Sequence, residues 1–261
     1  MKTKKSLGQH FLKSQKIISD IVSAGKVIGE DFVIEIGPGE GILTSALLET
    51  GAHVIAIEKD DRLIPVLQEK FAREISLRQL NLIHADILNC DLEKILPKHY
   101  KVVANIPYYI TGQIIRMFLE TNKQPESMTL LVQKEVAERI VARDGKESLL
   151  SLSVKVYGKP RIARTVGRGA FNPQPNVDSA VLCIENISKD KLEGIDEKIF
   201  FSILHAGFAH KRKQLLPNLS LLFKKEVLLS VFEKCGLDQK YRAEDLTIET
   251  WIKLCDIIQK T

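Results

Sequence analysis

The chain is poor in cysteine, with four in 261 residues: Cys90, Cys183, Cys235 and Cys255. They lie far apart and form no C-x-x-C pair, which excludes the common zinc frames and a disulfide scaffold. The expectation is a reducing, cytoplasmic setting and no metal. Long apolar runs are missing too; none approaches the length of a membrane span. The N-terminus is basic, but it continues into Ser6-Leu7-Gly8-Gln9-His10, which is not the apolar core of a signal peptide. No internal repeat and no low-complexity stretch is present.

What is there suits a soluble chain. Hydrophobic residues make up 44% and charged residues 27%, enough for one large domain or one domain plus a small one. The net charge of +5 permits nucleic-acid binding. Basic residues are clustered. Lys2, Lys4, Lys5, Lys13 and Lys16 lead the chain with no acid among them. Lys159, Arg161, Arg164 and Arg168 form a second group, and His210-Lys211-Arg212-Lys213 a third. Together they suit a footprint on a phosphate backbone; singly, each reads equally as a solvated surface stretch.

From Phe32 onward, short apolar runs alternate with helical spacing. Strands are expected at 32–36, 53–57, 80–84, 101–105 and 128–133. Helices are expected at 42–49, 62–74, 114–119 and 135–143. This alternation implies a parallel sheet covered by helices. The pattern changes after about residue 145. Ser148 to Tyr157 suits helix or strand, Pro160, Pro173 and Pro175 punctuate a loop, and Val177 to Ile184 reads as a late strand. Residues 188–196 are polar and linker-like, and everything beyond is helical. The expected domains are therefore 1–188 and 189–261.

Three strand ends carry ligand chemistry in order. Glu35-Ile36-Gly37-Pro38-Gly39-Glu40-Gly41 joins the first strand to its helix, and its glycines let backbone approach a ligand closely. The spacing is G-x-G-x-G, and Glu35 would repel a pyrophosphate. Both features favour a cofactor without phosphate, and S-adenosylmethionine fits. Glu58 ends the second strand, placed to accept from ribose hydroxyls. Asp86 ends the third, placed to accept from an adenine amine while Ile87 packs on the ring. A dehydrogenase would share the loop and Glu58, so these residues alone leave the chemistry open.

The fourth strand end narrows it. Asn105-Ile106-Pro107-Tyr108 brings an amide, a carbonyl and an aromatic ring into one space. An adenine amine is a poor nucleophile because its lone pair is delocalised. If the Asn105 oxygen and the Ile106 or Pro107 carbonyl accept its two hydrogens, the nitrogen can pyramidalise and attack a methyl sulfonium. Tyr108 would stack on the base. Phe171, in the proline-braced Phe171-Asn172-Pro173-Gln174-Pro175, would cover the other face.

At this point the chain resembles the small-subunit (16S) rRNA adenine dimethyltransferases. Gly8-Gln9-His10-Phe11-Leu12, Glu35 to Gly41, Glu58, Asp86, Asn105 to Tyr108 and Phe171 to Ser179 match that family's motifs in order. The resemblance implies a Rossmann-like class I methyltransferase domain with a seven-stranded, mainly parallel sheet and a small all-helical C-terminal domain. It implies methyl transfer from S-adenosylmethionine, with S-adenosylhomocysteine as product, to two adjacent adenosines in the 3′-terminal hairpin of 16S rRNA. The partner implied is the assembling 30S particle, and a monomer is the default. Cofactor contacts are expected from His10, Leu12, Gly37, Gly39, Gly41, Glu58, Asp86, Ile87 and Asn105. Catalytic contacts are expected from Asn105, Pro107, Tyr108 and Phe171. RNA contacts are expected from Arg161, Arg164, Arg168, Lys211, Arg212 and Lys213.

The chain departs from the family pattern in places. His10 stands where many members have Asn, and Tyr109 follows the core motif where Asn is commoner. Thr111-Gly112 replaces a Ser-Thr-like pair. Lys211 replaces Arg in the signature Gly207 to Leu215, and Pro217 breaks its usual continuation. Two rival readings share most of the motifs. One is the 23S rRNA adenine methyltransferase of the macrolide-resistance type, the other a non-catalytic assembly or transcription factor. DNA adenine methylation shares the core motif but leaves the C-terminal signature unexplained.

Overall fold

The computed structural model describes residues 10–210 and 212–261. The described residues divide into two compact units, one of residues 10–137 with 159–187, the other of 138–158 with 188–261. The sequence reading places 138–158 in the first domain; in the structure this stretch groups with the helices.

In chain order the elements are β1 (Phe11–Leu12), α1 (Gln15–Ala24), β2 (Phe32–Ile36), α2 (Ile42–Glu49), β3 (His53–Glu58), α3 (Leu63–Lys70), α4 (Ala72–Ser76), β4 (Leu80–His84) and α5 (Leu92–Ile95). They continue with β5 (Lys101–Asn105), α6 (Thr111–Glu120), β6 (Ser127–Gln133), α7 (Lys134–Val141), α8 (Leu149–Lys155), β7 (Lys159–Val166), β8 (Phe171–Asn172) and β9 (Ser179–Glu185). Four helices follow: α9 (Glu197–Gly207), α10 (Leu215–Leu219), α11 (Lys225–Cys235) and α12 (Ile248–Gln259).

Seven strands make one sheet in the order β4-β3-β2-β5-β6-β9-β7. The first five in that order are parallel, and β9 runs antiparallel to both its neighbours. The sheet is the expected doubly covered one, and its inner strands are apolar along their whole length because both faces are buried. Val33, Ile34, Val102, Val103, Leu130 and Leu131 are all essentially solvent-free. The chain moves outward from β2 to β3 and β4, then returns to lay β5 on the other side of β2. That reversal opens a crevice beyond the C-terminal ends of β2 and β5.

Two local expectations differ, and one left open is settled. The helix expected over 62–74 is two helices, because Phe71 leaves helical geometry between α3 and α4 (φ −114°, ψ 26°). Ser148 to Tyr157 resolves as helix α8, started by a reciprocal Ser148–Ser151 cap. The proline-punctuated loop begins later than expected, since residues 159–166 form strand β7. Pro160 is tolerated there because β7 is the sheet edge, where a missing N–H breaks few ladder bonds.

The second unit is built around α9, α11 and α12. Asp196 caps α9 by accepting from the Lys198 and Ile199 N–H groups. Trp251, Tyr157, Phe200 and Phe232 are its largest buried side chains. Among the described residues no helix is long and apolar enough to cross a membrane.

Gly41 shows how tightly the first unit is packed. It starts α2 in the left-handed region (φ +73°), and a Cβ there would sit 2.5 Å from Phe71 Cε2 and 2.9 Å from Leu67 Cδ2. Gly41→Ala is therefore expected to lower unfolding free energy by roughly 2–4 kcal/mol, from overpacking plus backbone strain. Urea denaturation checks this, and an unchanged midpoint would contradict the packing described.

Candidate active site

The crevice past β2 and β5 holds a pocket of about 150 Å³. Its walls come from four strand ends and from the N-terminal arm: His10 and Phe11, Gly37 and Gly39, Glu58 and Lys59, Asp86 and Ile87, and Asn105 to Ile110. A smaller cleft of about 40 Å³ adjoins it, sharing Phe11, Gly37, Gly39 and Asn105 and adding Leu12 and Glu35.

Most of the cofactor residues named from the sequence meet here, and each is held by an identifiable bond. Glu58 is buried, and its two oxygens accept from the backbone N–H of Gly39 (3.1 Å) and of Asp60 (2.7 Å). Burial pushes its carboxyl above the usual range, and these N–H groups pull it back. Asp86 accepts from Lys59 Nζ at 2.8 Å and from the Leu88 N–H at 3.1 Å. The Lys59 ammonium holds its carboxyl below the usual range, so Asp86 is an ionised acceptor at neutral pH. Ile87 is buried beside it.

The arm is pinned over the glycine loop by three contacts. β1 pairs antiparallel with β8, placing Phe11 opposite Asn172 and Leu12 opposite Phe171. His10 Nδ1 lies 2.8 Å from the Pro173 carbonyl, which can only accept, so Nδ1 carries the proton. The Phe11 ring covers Gly39, where a Cβ would come within 2.9 Å of Cε1. Phe11 and Lys59 are pocket residues that the sequence reading did not single out. Their signals were adjacency alone, next to His10 and Glu58.

Asn105 closes the constellation. Its Nδ2 donates to the His10 carbonyl at 3.2 Å, which fixes the amide's orientation. Its Oδ1 takes no hydrogen bond from the described residues and remains as an acceptor at the pocket wall. Of the two carbonyls the sequence leaves open, Pro107's already accepts the Ile110 N–H at 3.2 Å. Ile106's is not engaged in that turn.

Tyr108 is braced from two sides. Its hydroxyl lies 2.6 Å from Ser179 Oγ, and burial pushes its pKa up. The ring stacked on it is His10, with centroids 5.8 Å apart and planes 22° apart. Tyr109 stands at the lip and is largely exposed.

Several of the expected site residues do not line the main pocket. Phe171 is 5% exposed and packs in the apolar core with Leu12, Ile18 and Val181, so it is not a wall of this pocket. Its strand role explains that placement, since β8 must hold β1. Leu12 likewise faces the core and touches only the smaller cleft. Gly41 is absent from both cavities, and packing on Phe71 is what requires it.

The basic groups also part ways. Arg161 binds Glu185 through two nitrogens, at 3.0 and 3.2 Å, and Arg164 is paired with Asp20. Neither is a free cation. Arg168, Arg212 and Lys213 are exposed. Lys211 lies outside the described residues.

Glu35 is the one site residue whose chemistry is unusual. It is 1% exposed, its Oε2 has no partner among the described residues, and it lines the smaller cleft. Burial pushes its carboxyl up to about 8, opposed by the neighbouring Thr44. The folded chain thus keeps a proton that the unfolded chain loses near 4.5. Stability is full below that value and falls as pH rises toward about 8, by an amount on the order of a few kcal/mol. Glu35→Gln removes this loss, so its melting temperature relative to the parent should rise between pH 5 and pH 8.5. Parallel melting curves across that range would refute a neutral Glu35.

Comparison with known proteins shows the family. The model of the family "Ribosomal RNA adenine dimethylase" matches residues 1–260. A "Ribosomal RNA small subunit methyltransferase A" of Dehalococcoides mccartyi is 47% identical over 259 residues, covering 98% of this chain and 88% of that protein. The crystal structure of a dimethyladenosine transferase from Plasmodium falciparum superposes with a TM-score of 0.84 at 28% identity, covering 96% of this chain and 98% of that one. That of the 23S rRNA methyltransferase ErmE gives 0.76 at 24% identity, covering 95% and 99%, a likeness of fold. By sequence along its whole length and by fold, the chain belongs to the ribosomal RNA adenine dimethylase family.

Proposed function

We propose that this chain dimethylates the exocyclic amines of two adjacent adenosines in the 3′-terminal hairpin of 16S rRNA, acting as a cytoplasmic monomer on the assembling 30S particle. The observation that carries the reading is the allocation of the Asn105 amide. Its nitrogen is spent on the His10 carbonyl, so its oxygen is the group left for an incoming amine.

The residues present fit S-adenosylmethionine. The orphaned Glu35 Oε2 in the smaller cleft suits the α-ammonium of the methionine end, a positive group that would ionise and satisfy it. Glu58 has lone pairs left for ribose hydroxyls, and Asp86 with Ile87 suits an adenine edge and face. Bound there, the cofactor supplies an electrophilic methyl group. No metal enters this reading.

The chain's own work is positioning. Asn105 Oδ1 and the Ile106 carbonyl accept the two hydrogens of the target amine, which localises its lone pair toward the methyl. Tyr108, held by Ser179 behind and His10 beside it, gives the base a rigid wall. No strong base is needed before attack, because the amine proton becomes acidic once nitrogen bears positive charge.

The direct test is transfer of labelled methyl to 30S particles lacking the modification, with 50S particles in parallel. Transfer confined to 50S would overturn the proposal in favour of the 23S reading. Asn105→Ala is expected to cut kcat about 100- to 1,000-fold while leaving 30S binding intact, as loss of a preorganised polar group does. Loss of 30S binding as well would make Asn105 a structural residue. Tyr108→Phe keeps the ring and loses only the Ser179 bond, so it should retain activity to within roughly tenfold. Tyr108→Ala should lose far more, and equal activities of the two variants would remove stacking from the mechanism.

A further inference from the structure

Away from this site, the second unit contains a cleft of about 400 Å³ that the function above does not use. Its volume falls in the ~300–1,000 Å³ range of small-molecule sites. Three cationic or proton-accepting side chains converge on it: Arg139 from α7, and His210 and Lys213 from the turn after α9. None of the three side chains has a hydrogen bond or ion pair within the described residues. Each of the two carboxylates on the wall has a lysine partner, Glu147 through Oε1 alone. Glu147 is paired with Lys155 at 2.5 Å, and Glu244 with Lys146 at 2.7 Å. The cleft is therefore net positive.

One wall is aromatic, and it is built to stay flat. Phe208 lines the cleft and stacks on the fully buried Trp251, with centroids 6.0 Å and planes 24° apart. Gly207 makes that stack possible, since a Cβ there would fall 2.4 Å from the Trp251 ring. Leu149 and Leu150 complete an apolar floor.

A braced aromatic face beside unpaired cations is the chemistry of a nucleotide site: base on the ring, phosphate on the cations. We propose that this cleft holds one unstacked nucleotide of the RNA, outside the reaction pocket, with its base on Phe208 and its phosphate on Arg139 and Lys213. The proposal rests on the rRNA reading above and adds a specific anchor to it. An acidic peptide would match the charge but leave Phe208 without a flat partner.

The test uses the full chain saturated with S-adenosylhomocysteine, so that the cofactor cleft is filled. A short oligouridine RNA is titrated while emission of Trp251, the single tryptophan, is followed. Binding should quench that emission. Arg139→Ala and Lys213→Ala, both exposed and not needed for packing, should each weaken binding roughly tenfold, and Phe208→Leu should do so and abolish the quench. Lys224→Ala, a charge control outside the cleft, should change affinity by less than about twofold. Equal losses in the control and the cleft variants would overturn the proposal. So would full competition by inorganic phosphate or by an acidic peptide. Methyl transfer to 30S is measured alongside. A parent protein that methylates 30S while the cleft variants bind RNA unchanged defeats the cleft alone. A parent that quenches with RNA but never methylates 30S defeats the functional reading alone.

Discussion

The reversal of strand order between β2 and β5 is the constraint on which this molecule depends. Two neighbouring parallel strands send their chains to opposite sides, which leaves a crevice at their C-terminal ends. Every group of the site hangs from that gap. The glycine loop leaves β2, Asn105 ends β5, and Glu58 and Asp86 follow β3 and β4 along the same edge. A different strand order with the same strands would scatter these residues.

The gap is then furnished by bonds that leave chosen atoms unpaired. Asn105 gives its nitrogen to the arm, and Glu58 is held by two backbone donors. Glu35 is left with a buried oxygen that has no partner among the described residues, and burial raises its pKa to about 8. Buried polar atoms without partners are costly, and a folded chain retains few of them. Glu35, with its buried Oε2, and Asn105, with its open Oδ1, line two adjoining clefts, where a ligand would satisfy both atoms. The arm matters equally. It is drawn in by pairing with β8, by His10 on Pro173 and by Phe11 on Gly39. In this way a segment distant in sequence becomes the roof of the pocket.

Much of this was legible from residue order. The parallel strands announced themselves as continuous apolar runs, and the strand-end acids followed at regular intervals. Asn105 to Tyr108 stood out because their combination has little other use. The edge strand β7 was not legible, because Pro160 argues against a strand unless its edge position is known. The break at Phe71 was hidden for a similar reason: the apolar spacing continues through it. Arg161 and Arg164 look like free cations in sequence, and only the fold brings Glu185 and Asp20 to them.

The residue types along the chain were enough to specify the parallel sheet and the family, and to single out the glycine loop and Asn105 to Tyr108 as candidates for the site. Those features depend on local spacing and on side-chain chemistry, both of which are linear properties. Which aromatic ring meets Tyr108, which glycine serves a ligand and which serves packing, and which cations remain unpaired are different questions. They depend on contacts between residues far apart in sequence, set by strand pairing and close packing. For that reason His10 stacks on Tyr108, Phe171 lies in the core, and Arg139, from a helix expected in the other domain, shares a cleft with Lys213.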